Sequence, residues 1–218
     1  MLLLTVAFLD NPANCQVIAW GDNSYGQTNV PPDLTNVVMI AIGANHNLAL
    51  NAAGTVAAWG SDSSGQTDVP TNLDNVVAVS GGFAFSVALR NGSVVAWGDN
   101  AYGQTNVPVD LTNAVAVAAG FGHVVALRAD GTVAAWGYDA YGQTNVPLGL
   151  TNVVAISAAF SHSLALTADG KVTAFAAVPV VDVDGATKLQ DADKPGRGAV
   201  EGKIGDGRDV GPLLVSRL

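Results

Sequence analysis

Short apolar runs separated by turn-forming residues extend along most of the chain. In the stretch 76–98 these runs are VVAVSG, FSVALR and SVVAWG, with Gly and Asn residues between them. Runs of this length, dominated by Val and Ala and without room for intervening helices, predict β-strands. The alternation of polar and apolar residues within each run is weak, which predicts that both faces of each small sheet are covered.

The same three runs return with a fixed period. The sequence VIAWGDNSYGQTNVP at 17–31 recurs three more times, and Trp20, Trp59, Trp97 and Trp136 are spaced by 39, 38 and 39 residues. A fixed period in this range is typical of solenoids and propellers. Complete three-strand units are predicted at about 37–59, 76–97, 114–136 and 153–175, each with boundaries uncertain by a few residues.

The repeat array is predicted to be flanked by one segment on each side. Residues 1–16 are predicted to be part of an incomplete first unit or a degenerate leader, with strands at 5–9 and 16–20. Residues 17–176 form the repeat array, and 177–218 follow no period and have the composition of a linker or disordered tail. The predicted fold class is therefore all-β, a β-propeller-type array of three-stranded antiparallel blades that is incomplete.

Tight turns are predicted between the last two strands of each unit. Their tips carry Gly54, Gly92, Gly131 and Gly170, where glycine supplies the positive φ that hairpin turns require. The second tip is one residue shorter than the others. That deletion accounts for the single spacing of 38, since a loop absorbs the change while the strands keep their register.

Composition adds an acidic surface to this scaffold. The net charge is −9, and residues 1–170 contain eleven aspartates against only Arg90 and Arg128. Such a surface repels phosphate backbones and anionic lipids, so nucleic acid and membrane surfaces are disfavoured as partners. The lone Cys15 does not settle the redox compartment.

Residues with catalytic or metal-binding chemistry occur only as repeat copies. His46, His123 and His162 occupy one repeat position, which Phe85 fills in the second unit. Equivalent positions on neighbouring blades are about 10 Å apart, too far to share a metal ion, so structural hydrogen bonding is the favoured role. The GQT loops contain no Lys to bind phosphate. We therefore expect no enzyme activity, no cofactor and no metal site.

Loop aromatics are the predicted binding residues. One loop set, after each Trp-Gly, contains every tyrosine of the chain, and the other, before the histidine position, contains three phenylalanines: Tyr25, Tyr102, Tyr138, Tyr141; Phe83, Phe121, Phe160. Aromatic anchors among small and amide residues are typical of protein-binding surfaces. The alternative for the phenylalanines is burial between blades, and the alternative function is carbohydrate binding or surface display within a larger secreted protein.

The motifs V-x-A-W-G, G-Q-T-N-V-P, N-V-V-x-I-x-x-G, H-x-L-A-L and D-G-T-V recur in fixed order. Over 17–175 the chain resembles the regulator of chromosome condensation type of repeat in its short bacterial form, and it is similar to the secreted β-lactamase inhibitory protein, a propeller of seven three-stranded blades. The resemblance implies a propeller, a protein partner, an extracellular or cell-surface location, and a docking face that includes Phe83, Phe121 and Phe160.

The number of units departs from that family pattern. A ring of seven blades at about 39 residues each needs roughly 270 residues, so four to five units cannot close it. The chain is then a fragment of a longer reading frame, a protomer that completes a ring by self-association, or a degenerate relic, and the first is favoured. Guanine-nucleotide exchange, known in longer eukaryotic members, is disfavoured by the short array and the acidic surface.

Overall fold

The computed structural model describes residues 16–175 and the short segments 179–181 and 187–189, and no helix occurs in them. Twelve strands form four antiparallel sheets, named blades 1 to 4 in chain order. Blade 1 contains β1 (Val37–Ile42), β2 (His46–Asn51) and β3 (Val56–Gly60); blade 2, β4 (Val76–Gly81), β5 (Phe85–Arg90) and β6 (Ser93–Gly98); blade 3, β7 (Ala114–Ala119), β8 (His123–Arg128) and β9 (Val133–Gly137); blade 4, β10 (Val153–Ala158), β11 (Ser163–Thr167) and β12 (Val172–Phe175).

The strand order within each blade follows the chain, with the second strand in the middle. The four predicted units and the all-β, propeller-type class are confirmed. The first strand of every blade carries a register irregularity at its second residue, where the exposed valines Val38, Val77, Val115 and Val154 stand. A β-bulge lets one strand bend and leaves its extra residue outside the hydrogen-bond pairing between the two strands.

Hydrophobic clusters join each blade to the next one. One cluster combines Leu48 of blade 1 with Trp97 of blade 2, another combines Phe85 of blade 2 with Trp136 of blade 3, and a third combines Val125 of blade 3 with Phe175 of blade 4. The central strands β5 and β8 are buried at their first five residues. This burial on both faces explains the weak polar alternation in the sequence and confirms that the faces of the inner blades are covered.

Glycines in the left-handed region form the turns between the last two strands. Gly54, Gly92, Gly131 and Gly170 have φ between 78° and 83°. In blade 2 Arg90 pairs directly with Ser93, and both residues between them, Asn91 and Gly92, have positive φ. A two-residue turn of this kind matches the twist of the strands, so the predicted deletion lies in the turn and leaves the register unchanged.

The tryptophans are not equally buried. Trp97 and Trp136 are each 8% exposed, as expected of core anchors, and Trp59 is half-buried. Trp20 is 72% exposed, so this copy of the repeated tryptophan is not part of the core. No described blade covers Trp20 on the side away from blade 1.

The ends of the array differ from the predictions in one respect. Residues 16–20 form no strand, because no strand of the described chain lies beside them to pair with, and the expected strand at 16–20 is therefore wrong. The expected strand at 5–9 lies outside the described residues. Within 177–218, Pro179–Val181 (β13) pairs with Thr187–Leu189 (β14). The remainder of that segment is not among the described residues, and the domain limits stay predictions.

Candidate functional site

Two sets of loops meet at one end of the blades. The register pairs the first residue of each middle strand with the last residue of the third strand: His46 with Gly60, Phe85 with Gly98, and His123 with Gly137. The loops before the middle strands (pre-strand loops, 43–45, 82–84, 120–122 and 159–161) therefore emerge beside the loops after the third strands (post-Trp loops, 21–29, 60–68, 98–106 and 137–145). We call this the loop end, and the opposite end, with the glycine turns, the hairpin end.

Backbone hydrogen bonds fasten the two loop sets to each other. The amide of Asp99 donates to the carbonyl of Ala84 at 2.9 Å, and the amide of Tyr138 donates to the carbonyl of Gly122 at 2.8 Å. Across blades, the amide of Phe121 donates to the carbonyl of Phe160 at 3.3 Å. Backbone hydrogen bonds therefore connect the two loop sets into one surface at this end of the sheets.

Each post-Trp loop is closed from within by its glutamine and by one Asn or Asp. In the third of these loops Gln104 Oε1 accepts the amide of Tyr102 at 2.8 Å, and Asn100 Oδ1 accepts the amide of Thr105 at 3.0 Å. The same two bonds recur in the other loops: Gln27 and Asn23, Gln66 and Asp62, Gln143 and Asp139. This internal skeleton leaves the neighbouring side chains free to vary.

The glutamine backbone also ties each loop to the next blade. The carbonyl of Gln66 accepts Trp97 Nε1 at 3.0 Å and Ser86 Oγ at 2.8 Å, so the buried indole donor is satisfied. Trp59 and Trp136 donate to Gln27 and Gln104 in the same way. The sequence pattern alone did not reveal this structural role of glutamine, although a glutamine in all four loops was the available signal.

The histidine position is a structural one in blades 1 and 3. His46 Nε2 lies 3.0 Å from Ser86 Oγ, and His123 Nε2 lies 2.9 Å from Ser163 Oγ. Each serine hydroxyl donates its hydrogen to a glutamine carbonyl, at 2.8 Å, so the imidazole nitrogen must be the donor to the serine. Burial lowers the pKa of both histidines to about 4, and they are neutral at pH 7.

A glycine three residues earlier makes room for each buried ring. A Cβ at Gly43 or Gly120 would overlap the ring of His46 or His123. In blade 4 the corresponding residue is Ala159, and His162 is exposed. The three histidines do not converge, and no group of three or more His, Cys, Asp or Glu residues in the described part of the chain could hold a metal ion.

The three predicted phenylalanines form one continuous ladder. The ring centroids of Phe83 and Phe121 are 4.6 Å apart, and those of Phe121 and Phe160 are also 4.6 Å apart. Phe83 is 47% and Phe160 is 66% exposed. The phenylalanines therefore contact each other across three blades at the surface, and the alternative that they fill the space between blades does not describe them.

Three of the four predicted tyrosines extend this ladder. Tyr138 lies 6.3 Å from Phe121, 4.5 Å from Tyr102 and 6.1 Å from Tyr141, measured between ring centroids. Gly122 lies beneath the pair, with its missing Cβ position 3.1 Å from Tyr102 Cδ2 and 3.2 Å from Tyr138 Cβ. We call the resulting surface the aromatic surface: Phe83, Phe121, Phe160, Tyr102, Tyr138 and Tyr141. Tyr25 is exposed but makes no ring contact with it.

Tyr138 stands where two of the three sister loops have an aspartate that bonds to the loop glutamine. In those loops Gln27 Nε2 donates to Asp22 at 3.0 Å and Gln104 Nε2 donates to Asp99 at 2.7 Å. Tyr138 stands at the matching position of the fourth loop, and the fully buried Gln143 Nε2 has no hydrogen-bond partner. An unsatisfied buried donor lowers the stability of the fold by about 1–3 kcal/mol, so the presence of Tyr138 at this position is locally destabilising.

An open cavity of about 450 Å³ lies beside blade 1 and is lined in part by Gln27, Thr28 and Asn45 of the loop end. Its lining includes Ile18, Trp20 and Ile42, which are each about 70% exposed. Separately, no helix among the described residues is long and apolar enough to cross a membrane.

The fold and its loop surface define a β-propeller-type repeat protein in incomplete form. The family model for the regulator of chromosome condensation (RCC1) repeat matches residues 37–66, 76–104 and 114–143. Three of the four units therefore match the RCC1 repeat, which is the type of repeat that the sequence resemblance predicted. No curated protein matches the chain in sequence.

Solved propellers share the fold. The chain is 25% identical to Prp20p of Saccharomyces cerevisiae, over 74% of this chain and 50% of that one, with a TM-score of 0.57. The ectodomain of the Physcomitrella patens receptor kinase CR4 is 23% identical over 72% of this chain and 46% of that one, with a TM-score of 0.61. Human WBSCR16 is 22% identical over 70% and 52%, with a TM-score of 0.56. The chain thus spans about half the length of these propellers.

Proteins occur as partners in this group of structures. Prp20p was solved together with a study of its binding to Gsp1p and histones, and yeast RCC1 (Prp20) has been solved bound to Kap60. The RCC1-repeat propeller is in general a protein-interaction or regulatory module and not a catalyst.

Proposed function

We propose that this chain is a non-catalytic protein-interaction module that binds its partner through the aromatic surface. The observation that carries the proposal is that six exposed or half-exposed aromatic rings from two loop sets form one continuous patch. Exposed aromatic clusters of this kind are rare on surfaces that bind nothing and are typical of binding hot spots.

Folding does not require the aromatic rings at these positions. Ser64 stands at the position of Tyr102 and Tyr141, and Ala44 stands at the position of the phenylalanines. The Ser64 loop nevertheless makes the same internal hydrogen bonds as its tyrosine-bearing sisters. Residues that the scaffold does not need, and that would lower solubility if they had no partner, are best explained by binding.

The buried histidines support a binding role over a catalytic one. Their pKa values are perturbed, which is a common property of catalytic residues, but burial causes the shift and each Nε2 is engaged by a serine of the next blade. A group that is enclosed and already bonded within the core has no access to a substrate.

Affinity capture with an aromatic-surface variant tests the proposal. Phe83, Phe121 and Phe160 are replaced together by Ala, the residue that blade 1 already has at this position. Partners captured by the parent chain and identified by mass spectrometry should be lost, while the melting temperature changes little. The matched control is Tyr25→Ala, which removes an exposed tyrosine that lies outside the surface. Retention of every partner by the triple variant would refute the assignment.

Carbohydrate binding is the second candidate, as a module of a larger secreted bacterial protein. Tyr102 and Tyr138 stack at 4.5 Å and lie in loops that also carry Asp99 and Asp139. Aromatic faces beside carboxylates can hold the apolar face and the hydroxyl groups of a sugar. A glycan array that gives no signal with the parent chain would exclude this function.

A further inference from the structure

The cations of the described repeats are confined to one end of the blades, whereas aspartates occur at both ends. The loop end carries five aspartates, namely Asp22, Asp62, Asp68, Asp99 and Asp139, and its loops contain no Lys or Arg. All cations within 16–175, namely Arg90, Arg128 and Lys171, stand at the hairpin end. There Arg90 lies 3.0 Å from Asp74 and Arg128 lies 3.4 Å from Asp110. The aromatic surface therefore lies at the end of the blades whose carboxylates have no cationic partner in this range, and Asp99 and Asp139 stand in the same loops as its tyrosines.

The loop geometry favours the ionised form of two of these carboxylates, Asp22 and Asp62. The pKa of Asp62 is lowered, first by the hydrogen bond from the Thr67 side chain and then by the Thr67 amide. The pKa of Asp22 is lowered, first by the hydroxyl of Ser24 and then by its amide. Hydrogen bonds to the charged form favour that form, so the negative potential at the loop end persists well below pH 7.

From this juxtaposition of stacked rings and unpaired carboxylates, we infer that the aromatic surface binds an arginine-bearing basic segment of its partner. The inference rests on the proposed function and specifies the chemistry of the partner. A guanidinium group stacks on the face of Phe or Tyr and at the same time donates hydrogen bonds in pairs to a carboxylate. The ladder from Phe83 to Phe160 and the tyrosines beside Asp99 and Asp139 present both kinds of group at one end of the fold.

An uncharged apolar partner fits this surface less well. A partner that covers the loops of Tyr102 and Tyr138 also approaches Asp99 and Asp139 in the same loops, and desolvating a carboxylate without a cation is unfavourable. A basic segment avoids that cost, since it pairs with the carboxylates as it covers the rings. The net charge of −9 further attracts a cationic segment over a distance, which raises the association rate at low salt.

A pair of peptides that differ only in charge tests the inference on the full chain. The probe is an acetylated, amidated decapeptide of alternating Gly and Arg, and its control has citrulline in place of arginine, which keeps the size and planarity of the side chain and removes the charge. Binding is followed by NMR shifts of the Phe and Tyr ring signals and by calorimetry. We expect the arginine peptide to shift these rings and the citrulline peptide to bind at least about tenfold more weakly.

Charge-matched variants separate this site from general attraction to an acidic protein. The double variant Asp62→Asn and Asp139→Asn removes two charges at the loop end, and Asn23 and Asn100 already occupy the same position in the sister loops. The control, Asp33→Asn with Asp130→Asn, removes two charges at the hairpin end. We expect the loop-end double variant to weaken binding of the arginine peptide by about threefold or more, and the hairpin-end double variant to weaken it by less than twofold. Phe121→Leu should weaken binding about three- to tenfold, because it removes the central ring without changing the charge.

The outcomes separate this inference from the proposed function. Equal binding of the two peptides at the rings would overturn the inference and leave the interaction surface intact. Binding that moves no ring signal, or that falls equally in both double variants, would show diffuse electrostatic attraction and would overturn the inference as well. Absence of binding by the arginine peptide would also overturn it, and the capture experiment with the triple phenylalanine variant would then decide the proposed function on its own.

Discussion

The two buried histidines should make the stability of the fold depend on pH. In the folded state their pKa is about 4, whereas an unfolded histidine has a value near 6.5, so the unfolded chain binds more protons between these values. Stability is therefore fully present above pH 6.5 and falls as the pH drops towards 4, by on the order of 3 kcal/mol per histidine. Denaturant melts between pH 4.5 and 7 measure this slope.

The natural variation among blades provides the control for that prediction. Phe85 fills the same position in blade 2 and is fully buried. The double variant His46→Phe and His123→Phe should fold and should lose most of the slope between pH 4.5 and 6.5. An unchanged slope in the double variant would mean that other groups, such as the aspartates of the loops, cause the pH dependence.

The glycine that supports each buried ring is the second prediction at the scale of single residues. Gly120→Ala places a methyl group against the ring of His123 and near the carbonyl of Ala159. We expect a loss of about 1–3 kcal/mol in the free energy of unfolding from this overpacking. Ala159→Gly in blade 4, where the histidine is exposed, should change the free energy of unfolding by less than about 1 kcal/mol. Equal effects of the two changes would contradict the steric explanation.

Among the structural elements, the fourth post-Trp loop has Tyr138, a proposed binding residue, at a position where two sister loops have a structural aspartate. Tyr138→Asp supplies the hydrogen-bond acceptor that Gln143 Nε2 lacks, and Tyr138→Ala removes the ring without supplying an acceptor. We therefore expect the Asp variant to be more stable than the Ala variant by about 1 kcal/mol, while both lose affinity for the partner. Thermal melts and the capture experiment measure the two effects. Equal stability of the two variants would mean that Gln143 finds no acceptor at this position.

The strands were the most predictable elements of the fold. Each predicted unit agrees with the structure to within a residue or two at its ends, because the same apolar runs and glycine turns recur in four copies. The failure at 16–20 has a physical cause. The run QVIAW has strand composition, but a strand forms only against a partner, and no described strand lies beside it.

For the whole molecule, the open face of blade 1 predicts self-association. Ile18, Trp20 and Ile42 are about 70% exposed and border an open cavity. Within residues 16–175, the matching faces of blades 2 to 4 are covered by the preceding blade, and no described blade covers the far side of blade 4. We expect a second copy of the chain to dock its blade 4 there, since exposed apolar sheet faces promote association.

Light scattering and small-angle X-ray scattering on the purified chain measure its mass and shape in solution, and these test the predicted self-association. A dimer that Ile42→Asp converts to monomer is the expected result, with Val109→Asp as the control, because Val109 is an exposed apolar residue on a turn at the hairpin end. A monomeric parent chain at micromolar concentration would contradict the prediction.

Sequence alone determined the repeat, the strands, the turns and the residue types at the variable loop positions. These are local properties that four copies make visible: apolar runs specify strands, glycine specifies turns, and a loop position that carries Tyr in one copy and Ser in another is one where the fold does not require an aromatic ring. The seven aromatic candidates were identifiable for that reason. Their mutual contacts were not, since ring distances depend on how successive blades pack.

Only the tertiary structure decided which of these residues act together. Blade packing joins Phe83, Phe121 and Phe160 into a ladder, adds three tyrosines and leaves Tyr25 apart. Blade packing also buries Gln66 and Gln104, whose backbone carbonyls accept hydrogen bonds from the tryptophans of the next blade. It leaves Trp20 exposed, although Trp20 has the same local sequence as its buried copies. The reason is physical: burial and side-chain contact depend on which neighbour covers a residue, and identical repeat sequences meet different neighbours along the array.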